Sequence, residues 1–183
     1  MNAIEDTRSW LERAVIGLNL CPFAKAVHVK EQIRWVESSA EDPEQLLQDL
    51  VRELQFLAAA DPATVETTLL IHPHVLADFL DYNDFLDVAD AAVESLGLAG
   101  VLQVASFHPD YQFAGTEPDD VDNFSNRSPN PTLHLLREAS IDAAVAAFPE
   151  ADSIYERNIE TLRRLGMHGW HRLMAGPGEL PPR

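Results

Sequence analysis

Residues 67–74, T-T-L-L-I-H-P-H, and residues 102–110, L-Q-V-A-S-F-H-P-D, end alike. Each is an apolar run that fits a buried strand and stops at His-Pro, followed by a second residue able to bind a metal or carry a proton. Leu69, Leu70 and Ile71 run on without a polar break, the pattern of a central strand covered on both faces. Val27, Val29, Ile33 and Trp35 fall two or four apart, which predicts an edge strand, or two short ones, with one wet face. Lying side by side and parallel, the two His-Pro strands would gather His72, His74, His108 and Asp110 at one sheet edge, where open α/β sheets bind ligands.

Helical spacing fills the intervals. Trp10, Leu11, Ala14, Val15 and Leu18 predict a helix over 7–18, stopped at Cys21-Pro22 because the residue before proline is pushed out of helical angles. Asp42-Pro43 reads as an N-cap with proline at the first helical position, and Leu46, Leu50, Leu54 and Leu57 continue the stripe. A long helix over 76–96 turns Tyr82, Leu86, Ala89 and Val93 inward and its carboxylates toward water, and Gly97 and Gly100 stop it. Asn130-Pro131 predicts a further helix over 131–148, and one starting at Asp152 or Ser153 runs to Gly166. Residues 109–130 carry no period and form a long loop, packed by Tyr111, Phe113 and Phe124.

Strands alternating with helices predict one α/β domain over 1–172, a small mainly parallel sheet covered by helices, followed by a loose tail over 173–183. The alternative is an α+β fold with antiparallel pairing.

The chain has 183 residues, 46% of them hydrophobic, and a formal charge of -17 from 30 acidic against 13 basic residues. That charge repels phosphate backbones and anionic bilayers, which excludes nucleic acid and a membrane surface from the expected partners. No Lys or Arg occurs from Glu53 to Asn126, so Arg127 stands out. A single cysteine, no secretory leader and no apolar stretch of spanning length place the protein in the cytoplasm by expectation.

Three constellations could carry chemistry. His72, His74, His108 and Asp110 offer imidazole and carboxylate donors for a divalent metal such as zinc or iron, or for proton transfer by His108 and Asp110. The alternative is that His-Pro merely ends a strand. In 126–138, N-R-S-P-N-P-T-L-H-L-L-R-E, an exposed helix start with Arg127, Ser128 and Arg137 would bind a small anionic molecule, and His134 would line the same cleft as a catalytic group. The competing reading pairs Arg127 with an acid of 117–122 and Arg137 with Glu138 or Asp142. Cys21, before Pro22 and near Lys25, is a candidate nucleophile if a histidine is within reach, or else a small core residue. The expected function is a small-molecule enzyme with a His/Asp site acting on an anionic substrate, with metal assistance in one version. A non-catalytic anion-binding module and an acidic protein-interaction domain are the alternatives.

The phrases G-L-N-L-C-P-F-A, L-L-I-H-P-H-V-L-A-D-F-L-D-Y-N-D-F-L-D, A-S-F-H-P-D-Y-Q-F-A-G and N-R-S-P-N-P-T-L-H-L-L-R-E-A-S-I resemble those of a bacterial family, domain of unknown function 1415. The resemblance runs from about Trp10 to Trp170. It implies no catalytic residue, substrate or cofactor.

Overall fold

Ile33–Glu37, Thr67–Ile71, Leu102–Phe107 and Thr132–Arg137 are the four strands, β1 to β4, of a single sheet in a computed structural model that describes residues 2–176. Their order is β1-β2-β4-β3. The pair β1/β2 is parallel, whereas β4 runs antiparallel to both β2 and β3. The fold is α/β in content, and of the two pairings left open by the sequence the antiparallel one holds at two of the three strand contacts.

The helices are α1 (Ala3–Trp10, continued as a π-helical stretch Leu11–Ile16), α2 (Ala24–Val29), α3 (Pro43–Ala59), α4 (Phe79–Ser95), α5 (Glu138–Ala147) and α6 (Ile154–Ala175). Asp42 caps α3 through a bond from the Gln45 amide, with Pro43 at its first position, and Asp78 caps α4 through the amides of Leu80 and Asp81. Gly97 and Gly100 both take positive φ after α4, as the turn before β3 requires.

Three expectations are corrected. Residues 27–35 are not a strand throughout: α2 occupies the first part, and β1 begins only at Ile33, after Glu31 turns the chain at positive φ. The helix expected over 131–148 is β4 followed by α5. The Asn130-Pro131 signal that resembled a helix start is a strand-leading turn, closed by Ser128 and Thr132 hydroxyls donating to the Asn130 carbonyl. The last helix passes Gly166, which breaks it locally at φ 65°, and continues to Ala175. Of the expected tail, 173–175 are therefore helical, and 177–183 lie outside the described residues.

Each sheet face has its own core. On one, Leu46, Leu50, Leu54 and Leu57 of α3 and Tyr82, Phe85, Ala89 and Val93 of α4 pack on Leu70, Leu102, Leu133 and Leu135. On the other, Trp10, Leu11, Ala14, Val15, Phe124, Leu162 and Trp170 form a second cluster against Ile33, Trp35 and Phe107. All five residues of β2 are buried, as its unbroken apolar run predicts.

Candidate functional site

The strand order sets where the predicted histidines go. Because β4 lies between them and opposes both, β2 and β3 run the same way, and His72 and His108 follow their ends on either side of Thr132. The two rings meet the same tyrosine: Tyr82 lies 5.7 Å from His72 and 4.9 Å from His108, centroid to centroid. Its hydroxyl donates to the Thr132 carbonyl and accepts from the Phe107 amide.

Both imidazoles are sealed, each at 0% exposure, and both hold the turn that follows β2. His72 Nδ1 donates to the Val75 carbonyl at 3.0 Å. His108 Nε2 donates to the carbonyl of Leu76, a residue held at φ 59°, and His108 Nδ1 accepts from the Asp110 amide at 3.0 Å. Left-handed backbone at a leucine costs roughly 1–2 kcal/mol, which these bonds help to offset. Burial is the main reason that the His72 pKa falls to about 4 and that His108 is shifted in the same direction. His72 Nε2 is left as a buried acceptor with no partner among the described residues.

The four-ligand edge does not assemble. Its premise was an extended chain through Pro73, but residues 73 and 74 turn, which leaves His74 exposed beside a buried His72. Asp110 is also exposed, and it engages His108 through its amide rather than its carboxylate. Among the described residues no three His, Cys, Asp or Glu side chains are grouped to hold a metal ion.

Arg127 and Ser128 are likewise committed within the chain. Arg127 Nε donates to the Tyr111 carbonyl and Nη2 to that of Pro118, while its guanidinium lies 4.7 Å from the Phe124 ring centre. The loop is thus pinned by backbone acceptors, not by the ion pair that its acids seemed to offer. Burial lowers the Arg127 pKa, with Asp110 and Asp119 opposing the shift. Ser128 is 2% exposed and spends its hydroxyl on the turn before β4.

His134, Arg137 and Cys21 are brought together elsewhere. They line a cavity of about 440 Å³ between the second sheet face and the helices α1, α2 and α5. Strand register builds the floor. Thr67 and Leu69 of β2, His134 and Leu136 of β4, and Ala105 and Phe107 of β3 share one face, with His134 opposite Leu69 on one side and Ala105 on the other. Trp10, Leu11 and Val15 form one wall, Phe23, Ala24 and Val27 another, and Ile141, Ala144 and Val145 a third.

The hydrogen bonds around His134 fix its tautomer. Thr67 Oγ1 gives its single proton to the Leu135 carbonyl, so its 2.8 Å contact with His134 Nε2 requires the ring N–H to donate. Nδ1 is then a lone-pair acceptor, with no partner among the described residues. Burial holds the imidazole neutral, with its pKa lowered to about 4.

Arg137 stands at the end of β4, where Nη2 donates to the carbonyls of Ala60 and Val65 at 3.0 and 2.8 Å. Its Nε is buried without an acceptor, and no carboxylate pairs with it among the described residues. The pairings with Glu138 or Asp142 weighed from the sequence therefore do not form. Cys21 is half-buried in the lining. It lies ahead of α2, whose first residue is Ala24, so Pro22 does not place the thiol in a helical first turn.

Sequence reading missed the cavity itself. Its floor depends on β4 being a strand, and the sequence holds a short signal for that: Leu133 and Leu135 alternate with Thr132 and His134, a period of two inside the stretch expected to be helical.

No curated protein and no solved structure matches this chain. No helix among the described residues is long and apolar enough to cross a membrane. A family model described as protein of unknown function, DUF1415, matches residues 2–172, and the chain belongs to that family.

Proposed function

We propose that the protein binds a small, mainly apolar molecule in the cavity between the second sheet face and α1, α2 and α5, with His134 Nδ1 accepting one hydrogen bond from it. The observation that carries this reading is a neutral, tautomerically fixed imidazole in an apolar cavity of about 440 Å³. Ligand sites are typically apolar clefts of roughly 300–1,000 Å³ with a few placed polar groups, and strongly shifted pKa values collect in them. The composition of α5 supports the same reading. Its apolar residues Ile141, Ala144 and Val145 face the cavity, yet no residue of the helix is buried. A guest would give that face something to pack on.

In this scheme the protein acts in the cytoplasm, in keeping with its one cysteine, and His134 orients the guest by taking a hydroxyl or amide proton in a hydrogen bond. The sheet-edge histidines and Arg127 are structural.

Calorimetric titration with 2-naphthol, an apolar ring system with one donor, tests the proposal. Saturable binding is expected, weakened by about five- to tenfold in His134→Phe, the worth of roughly one hydrogen bond. Ala105→Trp, which fills the floor, should abolish it. Absence of binding to the wild-type protein, or equal affinity in Ala105→Trp, would overturn the reading.

A further inference from the structure

Resting on that cavity, we infer that its guest is an apolar carboxylic acid, with the carboxylate at Arg137 and the hydrocarbon body over Leu69, His134 and Phe107. The argument starts from an unbalanced charge. Among the described residues Arg137 is the one arginine or lysine in the cavity lining, and only its Nη2 has acceptors. Those acceptors are two neutral carbonyls. Nη1 has none among the described residues, and Nε is sealed without one. A buried donor with no acceptor loses its hydration uncompensated, and for a guanidinium the natural partner is a carboxylate.

Glu66 also lines the cavity, and it makes no ion pair with Arg137 within 4.0 Å. The two charges are held apart at the same end, so the choice of head group turns on which of them lacks solvation. Neither Glu66 oxygen is buried without a partner, whereas Arg137 Nε is. Glu66 thus has no stranded oxygen, and the guanidinium is the group that a ligand would satisfy.

Position strengthens the assignment. Arg137 is the residue before α5, and no side chain caps that helix. The Glu138 amide is taken by the Val101 carbonyl, and Ser140, in the first turn, also lines the cavity. The partial positive charge of the helix start and the fixed charge of Arg137 thus fall at the same end of an otherwise apolar chamber. An acid with a hydrocarbon body satisfies both the end and the walls.

The test compares 6-hydroxy-2-naphthoate (the naphthoate), 2-naphthol and 6-(aminomethyl)-2-naphthol (the amine), which all keep a hydroxyl donor for His134 Nδ1, by calorimetry at pH 7 on the full chain. Naphthoate is expected to bind about tenfold or more tightly than naphthol, the worth of one charge-assisted hydrogen bond. Arg137→Gln should remove that advantage while leaving naphthol affinity within about twofold. Because Arg137 also ties the turn after α3, a second variant covers the case in which Arg137→Gln does not fold: Glu66→Gln should tighten naphthoate by about two- to fivefold and leave naphthol unchanged. Equal binding of naphthoate and naphthol would overturn the carboxylate assignment while leaving the cavity reading standing. Tighter binding of the amine would give the head group to Glu66 and overturn it too. Failure of all three probes would remove both.

Discussion

Acid should destabilise this fold through two buried histidines, and the size of the effect follows from their surroundings. His72 and His134 are both held near pKa 4, against about 6.5 in an unfolded chain, chiefly because burial penalises the charged ring. A lowered folded value means that the unfolded chain takes up protons first as pH falls. Stability from these groups is therefore complete above about pH 6.5, declines between pH 6.5 and 4, and declines no further below, where both states are charged. Between pH 7 and pH 5 linkage gives a loss of about 2 kcal/mol for each ring, or about 4 kcal/mol together. Urea unfolding at the two pH values, at fixed ionic strength, measures it. The double variant His72→Asn, His134→Gln keeps a donor toward Val75 and Thr67 but cannot titrate, so its pH dependence should shrink by that amount. Exposed carboxylates contribute equally to both proteins and cancel. If wild type and double variant lost the same stability on acidification, the claim that folding holds these rings neutral would be wrong.

Tyr82→Phe removes the hydroxyl that bridges the Phe107 amide and the Thr132 carbonyl, both of which it leaves without that partner. A cost of about 1–3 kcal/mol is expected in chemical denaturation, and a change within error would refute the bridging role. Arg127→Met should speed proteolytic cleavage within 109–126 without lowering 2-naphthoate affinity, since Arg127 pins the long loop and lies outside the cavity lining; weaker ligand binding would put Arg127 back in the site. Saturating 2-naphthoate should slow alkylation of Cys21 by iodoacetamide, because the thiol is part of the cavity wall. An unchanged rate would mean that the guest sits elsewhere.

What the sequence disclosed follows from how far each signal reaches. α3 was legible because its cap, Asp42, and its leucine stripe agree locally with what the fold needs, and α4 because of its apolar stripe and the glycines that stop it, although its start at Phe79, set by the Asp78 cap, lies three residues beyond the expected one. β2 was legible because Leu69, Leu70 and Ile71 run on without a polar break, behind two β-branched threonines, which leaves little other than a covered strand. β4 was not, because Asn130-Pro131 is as good a helix start as a strand-leading turn, and because Glu138 onward is truly helical. Two ladder partners decided the matter, and both are distant in sequence: β2 and β3 supply a full set of backbone bonds only to an extended chain. Inserting β4 also changed the sheet from mainly parallel to mainly antiparallel.

The site shows the same division between composition and placement. His-Pro at two strand ends correctly signalled imidazoles converging on one edge, yet convergence became burial: the rings serve Tyr82, Val75 and Leu76 and keep no route to water. His134, fourth in the segment expected to be helical, lies on the less completely covered face. The two faces differ because their helices do. α3 and α4 cover one side with four leucines at 0% exposure and with Tyr82. On the other, the floor carries small side chains at Thr67 and Ala105, and the covering helices add Ala24 and Ala144 where the first side has leucine. Small residues on both floor and wall, with a neutral imidazole between them, open a chamber that larger ones would have closed at a gain in stability of roughly 1 kcal/mol for each methyl-sized void filled. With one face filled so completely, the hollow face is where the proposed guest belongs.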